Sequence, residues 1–559
     1  MTKNNKKAEI EKLNDEVDRL KKELKKRKKY GLVWEEKPEE VVEMCKEKLP
    51  VLKEVKNKEI IIDKDKPVNL LIEGDNYHAL SVLNYTHAKK VDVIYIDPPY
   101  NTGNKDFIFN DRYVDREDAY RHSKWLAFMG KRLKLAKNLL KDTGVIFISI
   151  DDNEMAQLKL LMDHSDLFGE NNFINIFVWN KKNVVQNDAK FASVNHEYVV
   201  AYARNISKLG SFNLLPRTDE LNARYNNPDN DLRGPWTSVA LQAKSGTESN
   251  IYEITFSSGV KWKPVPGTYP RLTKESLIKA YQEGRLWFGK SGNNVPRLKK
   301  YLSEVKKGVV SNSILLPQEV GSTQMAKELL KKILCENIFE TPKPLELIKK
   351  LIMLAAGENA LVLDFMAGSG TTGHAVLDLN KEDSGSRQFI LCTNNQDENG
   401  GHKICTDICY PRIKNVIFGY GNKEGLGGNI KYFKTDFVDY DEPTDKNKIK
   451  LTEQATEMLC VKEGTFEKVL PARRSNGAGG DQKNFKIFKN TNHYTGIIFD
   501  QGAIPAFKKA IKDIKGKFSV YVFSLGDETF DDEFKDIKQR VQLSPIPEAI
   551  LRVYRRIFR

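Results

Sequence analysis

Two short runs of the sequence carry the residue types of a reaction centre. In the first, Asp97, Pro98, Pro99 and Tyr100 follow VDVIYI, whose β-branched and aromatic residues favour a strand. Proline lacks the N–H a ladder needs and holds φ near about −65°, so the strand ends at Asp97. A carboxylate, a rigid carbonyl and an aromatic ring then stand at a strand's C-terminal tip, where open α/β sheets place their ligands. In the second, Gly368, Ser369, Gly370, Thr371, Thr372 and Gly373 match the spacing GxGxxG between a strand-like and a helix-like run. Glycines let backbone approach a nucleotide closely, and a helix N-terminus aims its N–H groups at the ligand. Asp364, four residues before the first glycine, would repel the pyrophosphate of NAD and suit a cofactor bearing an ammonium group. S-adenosylmethionine has such a group and no phosphate.

The elements around these runs alternate. VNLLIEGDN reads as a strand entering a loop at Gly74, Asp75 and Asn76, YHALSVLNYTH as a helix, 124–140 as a second helix and GVIFISIDDNE as a buried strand ending in carboxylates. TPKPLELIKKLIMLA reads as a helix with Pro342 and Pro344 near its start, where proline is tolerated. SRQFILCTNN follows the glycine loop as a further strand. Such alternation implies a parallel sheet with helices on its faces. From 180 to 334 the texture turns polar and Asn-rich, with aromatic and basic residues interleaved (VWNKKNVVQND, RYNNPDNDLRGPW, KWKPVPGTYPR), a poor source of sheet core. The expected divisions are therefore 1–45, 46–179, an inserted domain 180–334, 335–440 and 441–559. Within 1–45, Ile10, Leu13, Val17, Leu20 and Leu24 lie at a and d spacing before a basic run. They read as an amphipathic helix packed on its own subunit sooner than as a dimer zipper. FKIFKN and FSVYVFSL give 441–559 strands of its own, in a separate domain able to dock a partner.

Composition narrows the class. The chain has 559 residues, a formal charge of +14 and a pI near 9.1, which favours a polyanionic partner. No apolar run approaches the roughly 20 residues that span a bilayer, and MTKNNKKAEI lacks the apolar core of a signal peptide, so a cytoplasmic protein without membrane contact is expected. The six cysteines are scattered, as reduced thiols are. His402, Cys405 and Cys409 fall one ligand short of a structural zinc site, and no metal is expected. GRLWFGKS (284–291) fits the phosphate-loop spacing GxxxxGK[ST], but no apolar strand leads in and bulky residues fill the loop. It reads as a strand and turn of the insert.

IYIDPPYNTG, followed after an insert by TPKP and DFMAGSGTTG, resembles the circularly permuted beta group of DNA amino-methyltransferases. YGLVWEEKPEEVV, LIEGDNYHAL and the ending PIPEAILRVYRRIFR extend the resemblance to the Mod subunits of Type III restriction-modification systems. It implies a permuted Rossmann-like α/β fold with an inserted target-recognition domain and a small C-terminal α+β domain. It implies an S-adenosylmethionine-dependent adenine-N6 methyltransferase acting on double-stranded DNA, with a homodimer and a helicase-nuclease restriction subunit as the expected assembly. Asp97, Pro98, Pro99 and Tyr100 would be catalytic. Asp97 and the Pro98 carbonyl would accept both amino hydrogens, and Tyr100 would stack on an extruded base. Asp364, Phe365, Ala367, Gly368, Ser369, Gly370, Thr371 and Thr372 would hold the methionine part of the cofactor, Lys343 and Pro344 its other side, and Asp75 and Asn76 its adenosine. The family often has an acidic residue after the next strand for the ribose. Here Asn394, Asn395 and Gln396 stand there, with Asp397 and Glu398 next to serve. N4 of cytosine presents the same two hydrogens, and a DNA-specificity module without catalysis is the reading outside the enzyme class.

Overall fold

The computed structural model describes residues 34–558 apart from 105, 183, 185–189, 396, 399–400, 441–443, 470–483, 492 and 527. The heptad-spaced residues Ile10 to Leu24 lie outside the described residues. Ten strands, numbered along the chain, form the central sheet: β1 (Lys48–Glu54), β2 (Val68–Glu73), β3 (Val91–Ile96), β4 (Leu140–Ile150), β5 (Phe173–Asn180), β6 (His196–Ala203), β7 (Ile314–Leu315), β8 (Leu361–Asp364), β9 (Gln388–Thr393) and β10 (Asn429–Asp439). Their order is β1-β10-β2-β9-β8-β3-β4-β6-β5-β7. The stretch from β10 to β4 is parallel throughout, as the alternation with helices required.

β3 and β8 are neighbours although they are far apart in the chain, with Val93 opposite Val362 and Ile94 opposite Leu363. From this pair the chain runs outward in opposite directions, β3 to β4 and β8 to β9. A topological switch point therefore lies between them, with both C-terminal tips on one edge. Four helices flank the site: α1 (Asn76–Thr86), α2 (Arg121–Leu139), α3 (Leu345–Ala355) and α4 (Thr371–Asp383). Ile94, Ile96, Ile146, Ile148, Leu363 and Ile390 share a core with Leu80, Leu83, Trp125 and Leu133 of α1 and α2. Their strand neighbours Val93, Val145, Val362 and Leu391 are equally buried, so the sheet is covered on both faces. Among the described residues no helix is long and apolar enough to cross a membrane.

The chain divides into two compact units, Phe212–Ser311 and the remainder. The smaller unit has its own core of Leu241, Phe256, Trp262, Leu277, Ala280 and Leu286 and an antiparallel sheet of Trp236–Ala240, Arg297–Tyr301 and Leu286–Trp287. The phosphate-loop look-alike is thus a strand whose Leu286 pairs with Leu298, followed by a turn with Gly289 at φ +78°. The expected insert, 180–334, is wider than this unit. HEYVVAYA forms β6, buried between β4 and β5, and 314–315 adds β7. The polar stretch 181–195 before β6 obscures a strand that β4 and β5 bury on both sides.

The C-terminal segment builds a five-stranded sheet, Glu467–Lys468, Phe485–Lys489, His493–Ile498, Lys517–Phe523 and Val541–Ile546, its last three strands parallel. Phe485, Ile487, Phe507, Val520 and Phe534 form its core. It belongs to the larger compact unit. Ile497, Tyr521, Ile546, Leu551 and Tyr554 join the core of the central sheet, and the Tyr554 hydroxyl donates to the Pro50 carbonyl at 2.5 Å.

Candidate active site

β3 delivers Asp97 to the sheet edge, and the turn after it is held from three sides. The indole N–H of the fully buried Trp125 donates to the Pro99 carbonyl at 2.7 Å. Asn101 takes a φ of +58° and donates its amide to Glu154 at 2.5 Å and to the Arg121 carbonyl at 3.3 Å. Glu154 also meets His122 Nδ1 at 2.7 Å. Among the described residues nothing donates to the Pro98 carbonyl, so of the two proline carbonyls it is the one left for a ligand.

Four charged groups and a phenol surround the tip. Asp97 Oδ2 lies 2.6 Å from Lys343 Nζ, and Asp97 Oδ1 lies 2.9 Å from the Tyr100 hydroxyl. That hydroxyl is also 3.0 Å from Glu197 Oε2, and Glu197 Oε1 accepts from Lys181 at 3.0 Å. Lys343 sits 3.6 Å from Glu197 and 5.0 Å from the centroid of the Tyr100 ring. Positive and negative charges alternate as Lys181, Glu197, Lys343, Asp97. Burial drives the Asp97 carboxyl above the usual range and Glu197 adds to this, while Lys343 and the Tyr100 hydroxyl pull the other way. Burial also opposes the Glu197 charge, but Lys343 and Lys181 outweigh it and hold that carboxyl low. Lys343 loses hydration too, yet its two carboxylates keep its ammonium above the usual lysine value.

On the adjoining strand, Asp364 is buried. It accepts from the Thr372 hydroxyl at 2.5 Å and the Met366 N–H at 3.0 Å. Burial pushes it up to about 7, against the pull of those two bonds. The Ser369 and Thr371 hydroxyls face inward and accept from the buried Arg412 guanidinium at 3.1 and 2.7 Å. Phe365, Ala367, Thr371 and Thr372 are buried, so the loop's side chains serve the protein and its backbone is what remains for a ligand. Gly370 caps α4 at φ +79°, and a Cβ there would come 3.0 Å from Cys409 Sγ. A Cβ on Gly373 would lie 2.8 Å from Ile413, which makes that glycine a packing requirement.

At the end of β2, Asp75 caps α1 by accepting the Tyr77 N–H at 2.7 Å. Asn76 accepts from Arg132, a buried guanidinium paired with Glu39 at 2.7 Å and lying 3.6 Å from Asp75. Pro344 is the residue before α3 and packs against Gly321. Asn395 donates to Glu73 at 2.6 Å and accepts from the Thr406 N–H, so its amide is committed. Gln396 and the side chains of Asp397 and Glu398 lie outside the described residues. Cys405 and Cys409 are buried thiols.

The expected residues thus gather along one sheet edge, with Asp75, Asp364 and Asp97 at the tips of β2, β8 and β3. Three carboxylates fit the cationic groups of a phosphate-free cofactor such as S-adenosylmethionine and disfavour the pyrophosphate of a dinucleotide, while the helix N-terminus suits that cofactor's own carboxylate. Lys343, expected beside the cofactor, has its ammonium on Asp97. Glu197, Trp125, Arg132 and Arg412 are not among the expected residues. Glu197 lies in the segment read as insert, and the other three sit in helices where a single side chain gives no spacing signal. A cavity of about 1080 Å³, lined by Lys66, Val68, Asp92, Lys141, Leu361 and Gln388 among others, opens at the opposite ends of these strands and takes no part in this chemistry.

Residues 91–408 match the family model described as DNA methylase. The chain is 37% identical over 384 residues to the Mod subunit of the Type III restriction-modification enzyme StyLTI from Salmonella typhimurium, covering 62% of this chain and 57% of that one. It is 32% identical to the EcoP15I Mod subunit of Escherichia coli, over 58% of each. To the Type II methyltransferase M.KpnI of Klebsiella pneumoniae it is 36% identical, over 61% of this chain and 86% of that one. The match spans under two thirds of the length of the two Mod subunits. Among solved structures, TTHA0409 of Thermus thermophilus, complexed with S-adenosyl-L-methionine, matches at 13% identity and a TM-score of 0.27, over 58% of this chain and 90% of that one.

Proposed function

We propose, for a chain that belongs to the DNA methylase family, that it transfers the methyl group of S-adenosylmethionine to N6 of adenine in duplex DNA, as the modification subunit of a Type III restriction-modification system. The observation that carries the chemistry is the pairing of β3 with β8, which sets Asp97 beside the glycine loop on one edge. When bound, the cofactor supplies an electrophilic methyl group on a sulfonium. Asp97 and the Pro98 carbonyl, which accepts no hydrogen bond among the described residues, would accept the two amino hydrogens of the target, which favours a tetrahedral nitrogen with its lone pair turned toward that methyl. The turn is fixed in advance by Trp125 and Asn101, so little is left to order during reaction. Asp97 would take the proton that the nitrogen sheds once that nitrogen has accepted the methyl group in exchange for the sulfonium bond. Tyr100 is tethered through its hydroxyl and covered on one side by Lys343, leaving its ring to stack on a base turned out of the duplex.

The adenine target and the Type III assignment draw on the Mod subunits among the relatives. The same reading supplies double-stranded DNA, a second copy of the chain and a restriction subunit as partners. The charge of +14 suits the DNA backbone, and Phe212–Ser311 is the unit that would read bases. The test is incubation of the purified protein with unmethylated genomic DNA and S-adenosylmethionine, with modified bases mapped by single-molecule sequencing. N6-methyladenine on one strand of a short asymmetric motif is expected, and Asp97→Ala should abolish it with the fold intact. N4-methylcytosine would overturn the adenine assignment, and activity retained by Asp97→Ala would overturn the mechanism.

A further inference from the structure

We propose that Lys343 and Glu197 are positioning residues of opposite electrostatic sense that together set the charge of Asp97. Lys343 holds the carboxylate ionised, and Glu197 draws the ammonium partly away from it. The inference rests on the methyl-transfer reading, since the carboxylate that takes the proton shed by the amino nitrogen must be charged beforehand.

Apart from Lys343 and the hydroxyl that Tyr100 donates to it, the surroundings of Asp97 oppose that charge through burial and the like charge of Glu197. Its own strand contributes Tyr95, whose hydroxyl is engaged by Ser149 at 2.8 Å, and the turn contributes Tyr100. The neighbouring strand β8 contributes Asp364, and β6 contributes Glu197 with Lys181 behind it at 3.0 Å. Only the segment before α3 brings a cation into contact among the described residues, at 2.6 Å from Asp97 Oδ2. At that distance the ammonium dominates the other charges, and it is buried, so solvent screens it little. Glu197 competes for the same ammonium from 3.6 Å and shares the Tyr100 hydroxyl with Asp97. Loss of Glu197 therefore removes a like charge and leaves Lys343 wholly to Asp97, and both changes favour ionisation. Loss of Lys343 does the reverse. A pair kept only for scaffolding would move both variants in one direction, through stability.

The experiment is the pH dependence of kcat/KM for methylation of unmethylated duplex, which reports ionisation in the free enzyme. It compares wild type, Lys343→Met, Lys343→Arg and Glu197→Gln, with melting curves as the control for folding. Lys343→Met should move the acid limb to higher pH by about 1 to 3 units, and Lys343→Arg should return it toward wild type. Glu197→Gln, which keeps an oxygen for Lys181 and a bond to Tyr100, should move the limb to lower pH. If wild type methylates DNA and the limb stays in place, or shifts in the same direction in Lys343→Met and Glu197→Gln, the inference is overturned while the methyltransferase reading stands. If wild type transfers no methyl group, the reading and the inference fall together. Should Lys343→Met fail to fold, the direction of the Glu197→Gln shift decides the matter.

Discussion

Trp125→Phe tests whether the turn after β3 is preorganised by its anchor. The indole ring is fully buried and its N–H reaches the Pro99 carbonyl at 2.7 Å. Phenylalanine keeps the apolar contacts but removes the donor, stranding an acceptor at a cost of about 1–3 kcal/mol. The space vacated by the smaller ring adds about 1 kcal/mol. Asn101 still holds the turn from its other end, so the fold should survive. The carbonyl it no longer pins adjoins Pro98, and a displacement on the order of 1 Å at a reacting centre costs roughly 100-fold in rate. Single-turnover transfer from labelled S-adenosylmethionine to duplex DNA should therefore slow by about 10- to 100-fold, whereas cofactor affinity by calorimetry should hold, because the glycine loop is on the other strand. A variant that melts earlier yet transfers at the wild-type rate would refute the anchoring argument. An equal loss in cofactor affinity would show that the two strand tips move together.

Arg412→Met should weaken cofactor binding by about tenfold or more in calorimetry while leaving melting unchanged or raised. A guanidinium buried without a carboxylate partner among the described residues is costly to keep, and its bonds to Ser369 and Thr371 shape the glycine loop. An unchanged affinity would assign Arg412 to packing alone. With Asp364 at about 7, cofactor affinity should tighten more than about tenfold from about pH 5 to about pH 7, a range in which the cofactor's own ammonium stays charged. The same shift has a stability consequence, because a raised carboxyl contributes stability that is whole below its unfolded value and lost as pH rises through about 7. Asp364→Asn should flatten both profiles, and a pH-dependent affinity that persists in it would remove Asp364 from cofactor recognition.

The two motifs and their strands are legible in the sequence because each is a local signal. Proline ends a strand wherever it falls, and a glycine run between strand and helix constrains backbone within a few residues. Their adjacency is not local, and only the order of motifs in the resemblance supplies it. β6 is hidden for the opposite reason. HEYVVAYA has the composition of a buried strand, but the polar residues before it set the texture of the whole window. Its antiparallel pairing with β4 and β5 is a tertiary choice that local texture does not encode. Glu197 is hidden with it, since a carboxylate on a strand is informative only once the strand's burial is known. Arg132 and Arg412 show the same limit, for each acts through partners distant in sequence.

The tips of β3 and β8 carry the same side chain and give it different tasks, and the surroundings explain how. Asp97 has a lysine at 2.6 Å, so its charge is supplied from within the protein and its remaining lone pairs can serve a neutral amino group. Asp364 has no cation beside it among the described residues. A hydroxyl and a backbone N–H hold its geometry, and burial pushes it up to about 7. Its missing counter-charge is what a cofactor ammonium would bring. Exchange of the two environments would set a lysine where the cofactor's cation would bind and leave a carboxyl without a cationic partner where an acceptor is needed. On the proposed reading, the different charged neighbours of these two aspartates separate the acceptor from the cation site. Lys343, placed on Asp97 and absent from Asp364, is the residue that makes that separation.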